Sequence, residues 1–445
     1  MSKRISVILW AVVTVIVGGY YGYPFFGGNK EVHLPGKTTD GHYQIELACE
    51  QCHTSWDGVK QDACTKCHGE DLTAANDSHS ESKFADPRNA DRVAALDASR
   101  CVTCHREHEP DITHAVGVTQ PADFCVLCHQ DIGTERPSHK SFTFESCSTG
   151  GCHNYHDNRG NYEEFLTKHM KEPEQLALAA VLGRSTAPAK NGQKPLGAKD
   201  QDAPAEGSGD AALLHEWEST AHAKAGVNCS TCHQVRDAGT NTTRWEKKPG
   251  YSSCSGCHTE QVDGFLGSKH GMRMKVGMTP MKPGMARQPM KAEAHERELG
   301  CNSCHGAHKF DTRSAAVESC LSCHNDKHSL AYQASRHFKL WEASKSGAAG
   351  AGTGVSCATC HLPRELHKKD GAERTVVMHN QNDNLRPNEK MIRGVCMSCH
   401  GLGFSMDSLA DSHLVERCFN GRPGKHIESL DMAAARMGDT TKKGE

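Results

Sequence analysis

From Ile5 to Phe26 the chain carries no charged residue, and Lys3 and Arg4 stand just before the run. Twenty-two residues at about 1.5 Å each make a helix of about 33 Å, enough for the hydrocarbon core of a bilayer. Tyr20, Tyr21 and Tyr23 suit a membrane interface, and the positive end stays in the cytoplasm. Two readings stand: an uncleaved anchor and a cleaved secretory signal. The stretch after Val17, Gly-Gly-Tyr-Tyr-Gly-Tyr-Pro, offers no small-x-small cleavage site, which favours the anchor. Past residue 30 apolar periodicity is weak, so we expect short helices and long loops with almost no sheet. An Ala- and Leu-containing stretch predicts a short helix at 172–182. Six methionines between 272 and 290 are interleaved with Pro280, Pro283 and Pro289, which exclude a continuous helix and predict a loop. Soft-metal binding by its thioethers and a plain apolar cover are both open for that loop.

The apolar shortage changes the picture. Leu, Ile, Val and Phe number 68, with 11 in residues 1–30, leaving 57 in the other 415 positions, about 14%. That is below the roughly 20% under which chains usually fail to bury a core. Yet Lys+Arg 51 against Asp+Glu 54 gives a formal charge of −3, without the self-repulsion of a disordered chain. The same balance excludes a strongly basic nucleic-acid binder. Apolar mass must come from something other than side chains.

The cysteines supply the reason. Of 23 Cys and 30 His, ten Cys-x-x-Cys-His motifs use Cys49, Cys52, Cys64, Cys67, Cys101, Cys104, Cys125, Cys128, Cys229, Cys232, Cys254, Cys257, Cys301, Cys304, Cys320, Cys323, Cys357, Cys360, Cys396 and Cys399. An eleventh pair, Cys147 and Cys152, is separated by four residues and followed by His153. Two nearby thiols add to the two vinyl groups of one haem, and the next residue ligates the iron. Zinc ribbons and disulfides need no His after every second Cys. We therefore expect eleven covalent haem c groups, with proximal ligands His53, His68, His105, His129, His153, His233, His258, His305, His324, His361 and His400. A redox dithiol is the alternative at Cys147. Cys418 is left over, as a small buried hydrophobe, an extra thioether, an iron ligand or an intermolecular link.

Nineteen further histidines can supply sixth ligands. His42 and His222 each lie seven residues before a motif; His79 and His270 follow the second motif of each half. His108 and His308 end Cys-His-x-x-His, and His139 and His337 lie beyond the fourth motif of each half. These offsets predict two related five-haem units with the Cys396 motif added. His114, His156, His169, His328, His367, His379 and His413 complete the distal candidates. With His on both faces, the haems would be six-coordinate electron carriers.

Residues 213–420 resemble the octahaem hydroxylamine oxidoreductase and multihaem reductase superfamily. The likeness rests on Trp217 to His222 leading into Gly226-Val227-Asn228-Cys229, Cys301 to His308, Ala331-Tyr332, Ser335, His337 to Trp341, Gly354-Val355-Ser356 and Asn384-Leu385-Arg386-Pro387-Asn388. It implies an iron where small nitrogen or sulfur oxo-compounds react, with His270, His328 and Tyr332 as candidate catalytic residues. Six motifs stand there instead of the family's eight. No Tyr follows His400, where hydroxylamine-oxidising members cross-link one to haem. Residues 40–170 resemble small multihaem cytochromes of the c7/c3 kind. Membrane-anchored tetrahaem quinol dehydrogenases share the topology of one anchor followed by haems, without an evident quinol-site motif here.

The expected organisation is a membrane anchor (1–30), a pentahaem module (31–172), a linker (173–212), a hexahaem module (213–420) and a tail (421–445). The first expectation for function is electron transfer in a respiratory chain by a single-pass inner-membrane protein with periplasmic haems. Its partners would be redox proteins, including a quinol-oxidising membrane subunit, and self-association is compatible. The rivals are a reductase of a nitrogen or sulfur oxo-compound at one open haem, and a conduit subunit whose linker lets the modules swing. Two propionates per haem would add about −22 of formal charge, giving an acidic protein suited to basic partners.

Overall fold

The computed structural model describes residues 3–26, 30–54, 57–75, 79, 81–114, 117–121, 123–136, 139–140, 155–156, 163–177, 181–183, 194–205, 210–237, 239–348, 353–369, 371–385, 388–428, 430–432 and 434–435. Helix α1 (Lys3–Phe26) forms as expected. Among the described residues nothing buries it: Trp10 is 70% and Val15 73% exposed. Its Lys3–Tyr23 span, at mean hydropathy 1.9, is long and apolar enough to cross a membrane, alone in this among the described residues.

The rest is short helices and loops with three antiparallel hairpins: β1 (His53–Thr54) with β2 (Gly58–Val59), β3 (Gln234–Arg236) with β4 (Thr243–Trp245), and β5 (Arg364–Lys369) with β6 (Ala372–Val377). In the last, Arg364 pairs with Val377 and Lys369 with Ala372, and Gly371 turns at φ 77°. Helix α2 (Gln61–Ala75) buries none of its own side chains, so protein packing does not hold it.

A short helix does form near the middle of the chain, but upstream of 172–182. Helix α3 (Glu163–His169) stops before Pro173, whose ring disfavours helical backbone in the residue before it. Its Leu166 joins a cluster with Ile392, Leu402, Met406 and Leu430. In helix α5 (Leu402–Ala410) the buried residues Leu402, Ser405 and Met406 keep the spacing of one helical face. Leu402 is 0% exposed. Leu402→Ala is expected to cost about 2–5 kcal/mol, read as a lower midpoint in denaturation of the haem-loaded protein; an unchanged midpoint would count against that packing. A second cluster joins Val317, Tyr332, Trp341 and Cys418. Its helix α4 (Arg336–Ser346) starts at Ser335, whose hydroxyl accepts from Phe338 N at 3.1 Å, and ends at Gly347 with φ 78°.

These clusters are small for the chain. The protein exposes 28432 Å², about 1.7 times the roughly 16,600 Å² of a compact chain of its mass.

The two halves touch. Residues 38–46 dock on 269–287: Gln44 Nε2 donates to Lys269 O at 2.5 Å, Arg273 to Gln44 O at 2.7 Å, and Arg287 to Thr38 O and Asp40 Oδ1, both at 2.9 Å. The Arg287 guanidinium lies 4.7 Å from the centre of the Tyr43 ring. The methionine-rich segment thus makes contacts between the halves that neither sequence reading anticipated. It contains a short helix, Met272–Lys275, buries Met281, and presents Arg273 and Arg287 to the first half.

Contacts also cross the boundaries drawn at 172 and 212. Leu176 N donates to Cys399 O at 2.8 Å, Asn228 Nδ2 to Asp200 O at 2.7 Å, and Leu196 N to Ala223 O at 2.9 Å. The described ends of the linker are therefore docked, and its Ala- and Pro-rich middle, 184–193, lies outside the described residues.

Candidate functional site: facing histidines

Several motifs form a single helical turn, as at Cys229–His233, Cys301–His305 and Cys357–His361. A turn sets residues i, i+3 and i+4 on one face, bringing both sulfurs and the following imidazole to the same side. The sulfurs of these motifs stand where thioether bonds to haem c would form.

Each described motif histidine faces a second histidine. In the first half His53 faces His108 at 6.4 Å between ring centres, His68 faces His42 at 5.9 Å, His105 faces His156 at 6.2 Å and His129 faces His79 at 6.2 Å. In the second, His233 faces His308 and His258 faces His222, both at 5.9 Å. His305 faces His379 at 6.2 Å, His324 faces His270 at 6.3 Å, His361 faces His328 at 6.0 Å and His400 faces His337 at 6.4 Å. Two metal–imidazole bonds of about 2.0 Å in line, with about 1.1 Å from each nitrogen to its ring centre, put the centres about 6.2 Å apart. All ten spacings fit an iron held between the rings.

Hydrogen bonding points the same way. His79 donates from Nδ1 to Tyr155 O at 2.7 Å, His108 to Gly36 O at 2.7 Å, His233 to Glu246 O at 2.6 Å, His328 to Val415 O at 2.6 Å and His400 to Glu174 O at 2.9 Å. Using Nδ1 leaves Nε2 for the metal and fixes the ring. Gly36 is required here, because a Cβ would lie 2.6 Å from His108 O. By contrast, both ring nitrogens of His367 and of His426 face carboxylates. Burial, then the facing imidazole, pushes His270, His305, His337 and His361 each down to about 4, which favours the neutral form that binds metal.

The wiring repeats between the halves. His42 and His222 face the second motif of each unit, His108 and His308 the first, and His79 and His270 the fourth. His108 and His308 share left-handed backbone, φ 66° and 64°. The correspondence also takes in His156 and His379, facing the third motifs, which the offsets had not matched. It does not extend to His139 and His337 as drawn, since His337 faces the added motif's His400. Cys147, Cys152 and His153 lie outside the described residues.

Of the remaining distal candidates, His413 is exposed and faces no motif histidine among the described residues. His169 donates to Glu172 at 2.6 Å and lies against Phe165. The three candidate catalytic residues have other surroundings: His270 and His328 each face a motif imidazole, and buried Tyr332 donates to Val355 O at 2.7 Å. Cys418 is 8% exposed, its Sγ 3.8 Å from His328 Nε2, and burial above all pushes its thiol up to about 12.

Sulfurs of successive motifs meet. Cys64 contacts Cys101, Cys254 contacts Cys301 and Cys320 contacts Cys357. The first two contacts join the second and third motifs of each half. Tyr155, stacked 4.0 Å from His79, precedes His156, so one dipeptide touches the third and fourth centres.

Sequence reasoning missed Glu107, Gly36 and Tyr155. Glu107 accepts from His42 Nδ1 at 2.6 Å and from Thr39 N at 2.6 Å and Oγ1 at 2.9 Å. Burial alone would raise its carboxyl, but these hydrogen bonds outweigh it and hold it down at about 2. A carboxylate inside Cys-His-x-x-His, beside two iron ligands, was the available signal.

The cytochrome c3 family model matches residues 41–130 and 221–314. No curated protein and no solved structure matches the chain. The likeness expected for residues 40–170 is thus shared by the second half, where the resemblance to hydroxylamine oxidoreductases has no counterpart among these matches. The two matched segments, 184 of the 445 residues, and the Cys-x-x-Cys-His motifs they carry support a multihaem electron-transfer cytochrome of the c type.

Proposed function

We propose that the chain is an inner-membrane-anchored undecahaem cytochrome c that passes electrons in a respiratory chain between a membrane partner and an acceptor, with its haem region in the periplasm. The observation that carries this is the pairing of all ten described motif histidines with a second histidine. Haem c, when bound, supplies one-electron uptake and release without bond chemistry. The paired histidines would hold an iron from both sides, burial favours the neutral form of His270, His305, His337 and His361, and successive attachment sites are brought into contact.

Helix α1 supports the anchor, and c-type attachment outside the cytoplasm supports the periplasmic side. The reductase reading needs an open iron, and His270 and His328 instead face motif imidazoles. A conduit with swinging modules fits poorly with the docking of residues 38–46 on 269–287. That contact also sets the His42 segment against the His270 segment, a crossing between halves that does not follow the order of the motifs.

A reductive titration under anaerobic conditions is expected to take up eleven electrons per chain, one for each motif. Nitrite, hydroxylamine and sulfite are expected to reoxidise the protein without sustained turnover. Steady turnover of any of them at rates above free haem would replace this reading with the reductase.

A further inference from the structure

The two halves share their wiring but not the support given to their ligands: His108 donates to Gly36 O while His308 Nδ1 has no hydrogen-bond partner among the described residues, and the first-half ligand His42 is held by a carboxylate. His42 and His222 face the second motif histidine of their units, His68 and His258. His42 donates from Nδ1 to Glu107 Oε1 at 2.6 Å. Glu107 stands third in His105-Arg106-Glu107-His108, and the same place in His305-Gly306-Ala307-His308 holds Ala307. His222 Nδ1 is buried without a hydrogen-bond partner among the described residues, and Phe310 packs on its ring at 4.5 Å.

We propose that Glu107 is a positioning residue that lowers the midpoint potential of the haem held by His68 and His42 below that of its counterpart held by His258 and His222. The couple is ferric iron plus one electron giving ferrous iron, with the proton remaining on His42 Nδ1 throughout. A carboxylate hydrogen-bonded to a ligating imidazole raises its basicity. It also places negative charge one ring away from the iron. Both effects favour the ferric state, which carries the extra positive charge. Thr39 fixes the carboxylate through two hydrogen bonds, so the orientation is built in. The inference rests on His42 ligating iron, as in the proposed function, and on no particular partner or direction of flow.

The test uses the full-length haem-loaded protein in detergent, as wild type, Glu107→Ala and Glu107→Gln. An anaerobic spectroelectrochemical titration gives the potentials, and EPR gives the spin state. In Glu107→Ala one haem is expected to become easier to reduce, its ferric-to-ferrous ratio at fixed potential changing by about tenfold, or about 59 mV for one electron. Glu107→Gln, whose amide oxygen still accepts from His42, is expected to shift the same haem the same way by less. Two low-spin variants with unchanged titrations, or a shift to lower potential, would overturn the proposal. If Glu107→Ala turns one haem high-spin, His42 has been released, and Glu107→Gln decides. Substrate turnover in the wild type would sink the electron-carrier reading alone and leave this measurement standing.

Discussion

Produced without haem attachment, the chain beyond α1 is expected to stay unfolded, with no cooperative thermal transition and rapid cleavage by a broad-specificity protease. The two clusters, around Leu402 and around Trp341, both lie largely in the second half. In the first half α2 buries none of its side chains, and isolated helices of its length are marginal in water. The exposed area is about 1.7 times that of a compact chain of this mass. Haems attached at the motifs would supply the apolar surface that the side chains lack, each tied to the backbone by two sulfurs and held by histidine. The effect is therefore complete loss of a native state rather than a graded loss of stability. A protease-resistant apoprotein with a sharp transition would mean that side chains alone hold the fold.

The largest spectroscopic expectation concerns spin state. Ten iron positions have imidazole on both sides at 5.9–6.4 Å between ring centres, so ferric EPR should be low-spin for those haems. High-spin signal amounting to more than one haem per chain would contradict the pairing, since the motif of His153 is the one outside the described residues. His337→Ala should add one high-spin haem and leave the others unchanged. The ligand sits on α4, whose Ser335 cap and buried Trp341 hold the helix whichever side chain stands at 337. Cyanide binding by the variant at about one equivalent more than the wild type would read the same change. A variant that stays fully low-spin would remove His337 as the partner of His400.

Attachment sites were legible because covalent chemistry fixes their spacing: two cysteines and a histidine leave no freedom for tertiary structure to revise. The distal partners were legible only where the halves could be laid over each other, as for His42 with His222. The pairs themselves close loops of 26 residues, from His42 to His68, up to 75, from His233 to His308. No local pattern carries that information. His337 shows the limit, for its offset matched His139 while its ring faces the extra motif. Glu107 escaped notice because a surface-like Arg-Glu dipeptide says nothing about Thr39 and His42, which reach it from more than sixty residues away. The helix expected at 172–182 is absent from its described residues, 172–177 and 181–182, where Leu176 N instead donates to Cys399 O.

The ligand pairs have a topological consequence. Drawn along the chain, the spans 42–68, 53–108, 79–129 and 105–156 overlap in series, and so do those from 222–258 to 337–400. Any cut between 42 and 156, or between 222 and 400, separates at least one iron's two ligands. A cut between 156 and 222 separates none of the described pairs. As the chain emerges from its N-terminus, the described pairs of the first unit become complete in turn at residues 68, 108, 129 and 156, each before the next has closed, and those of the second follow from 258 to 400. Each half is thus an interlocked set of loops whose last ligand completes it without help from the other half.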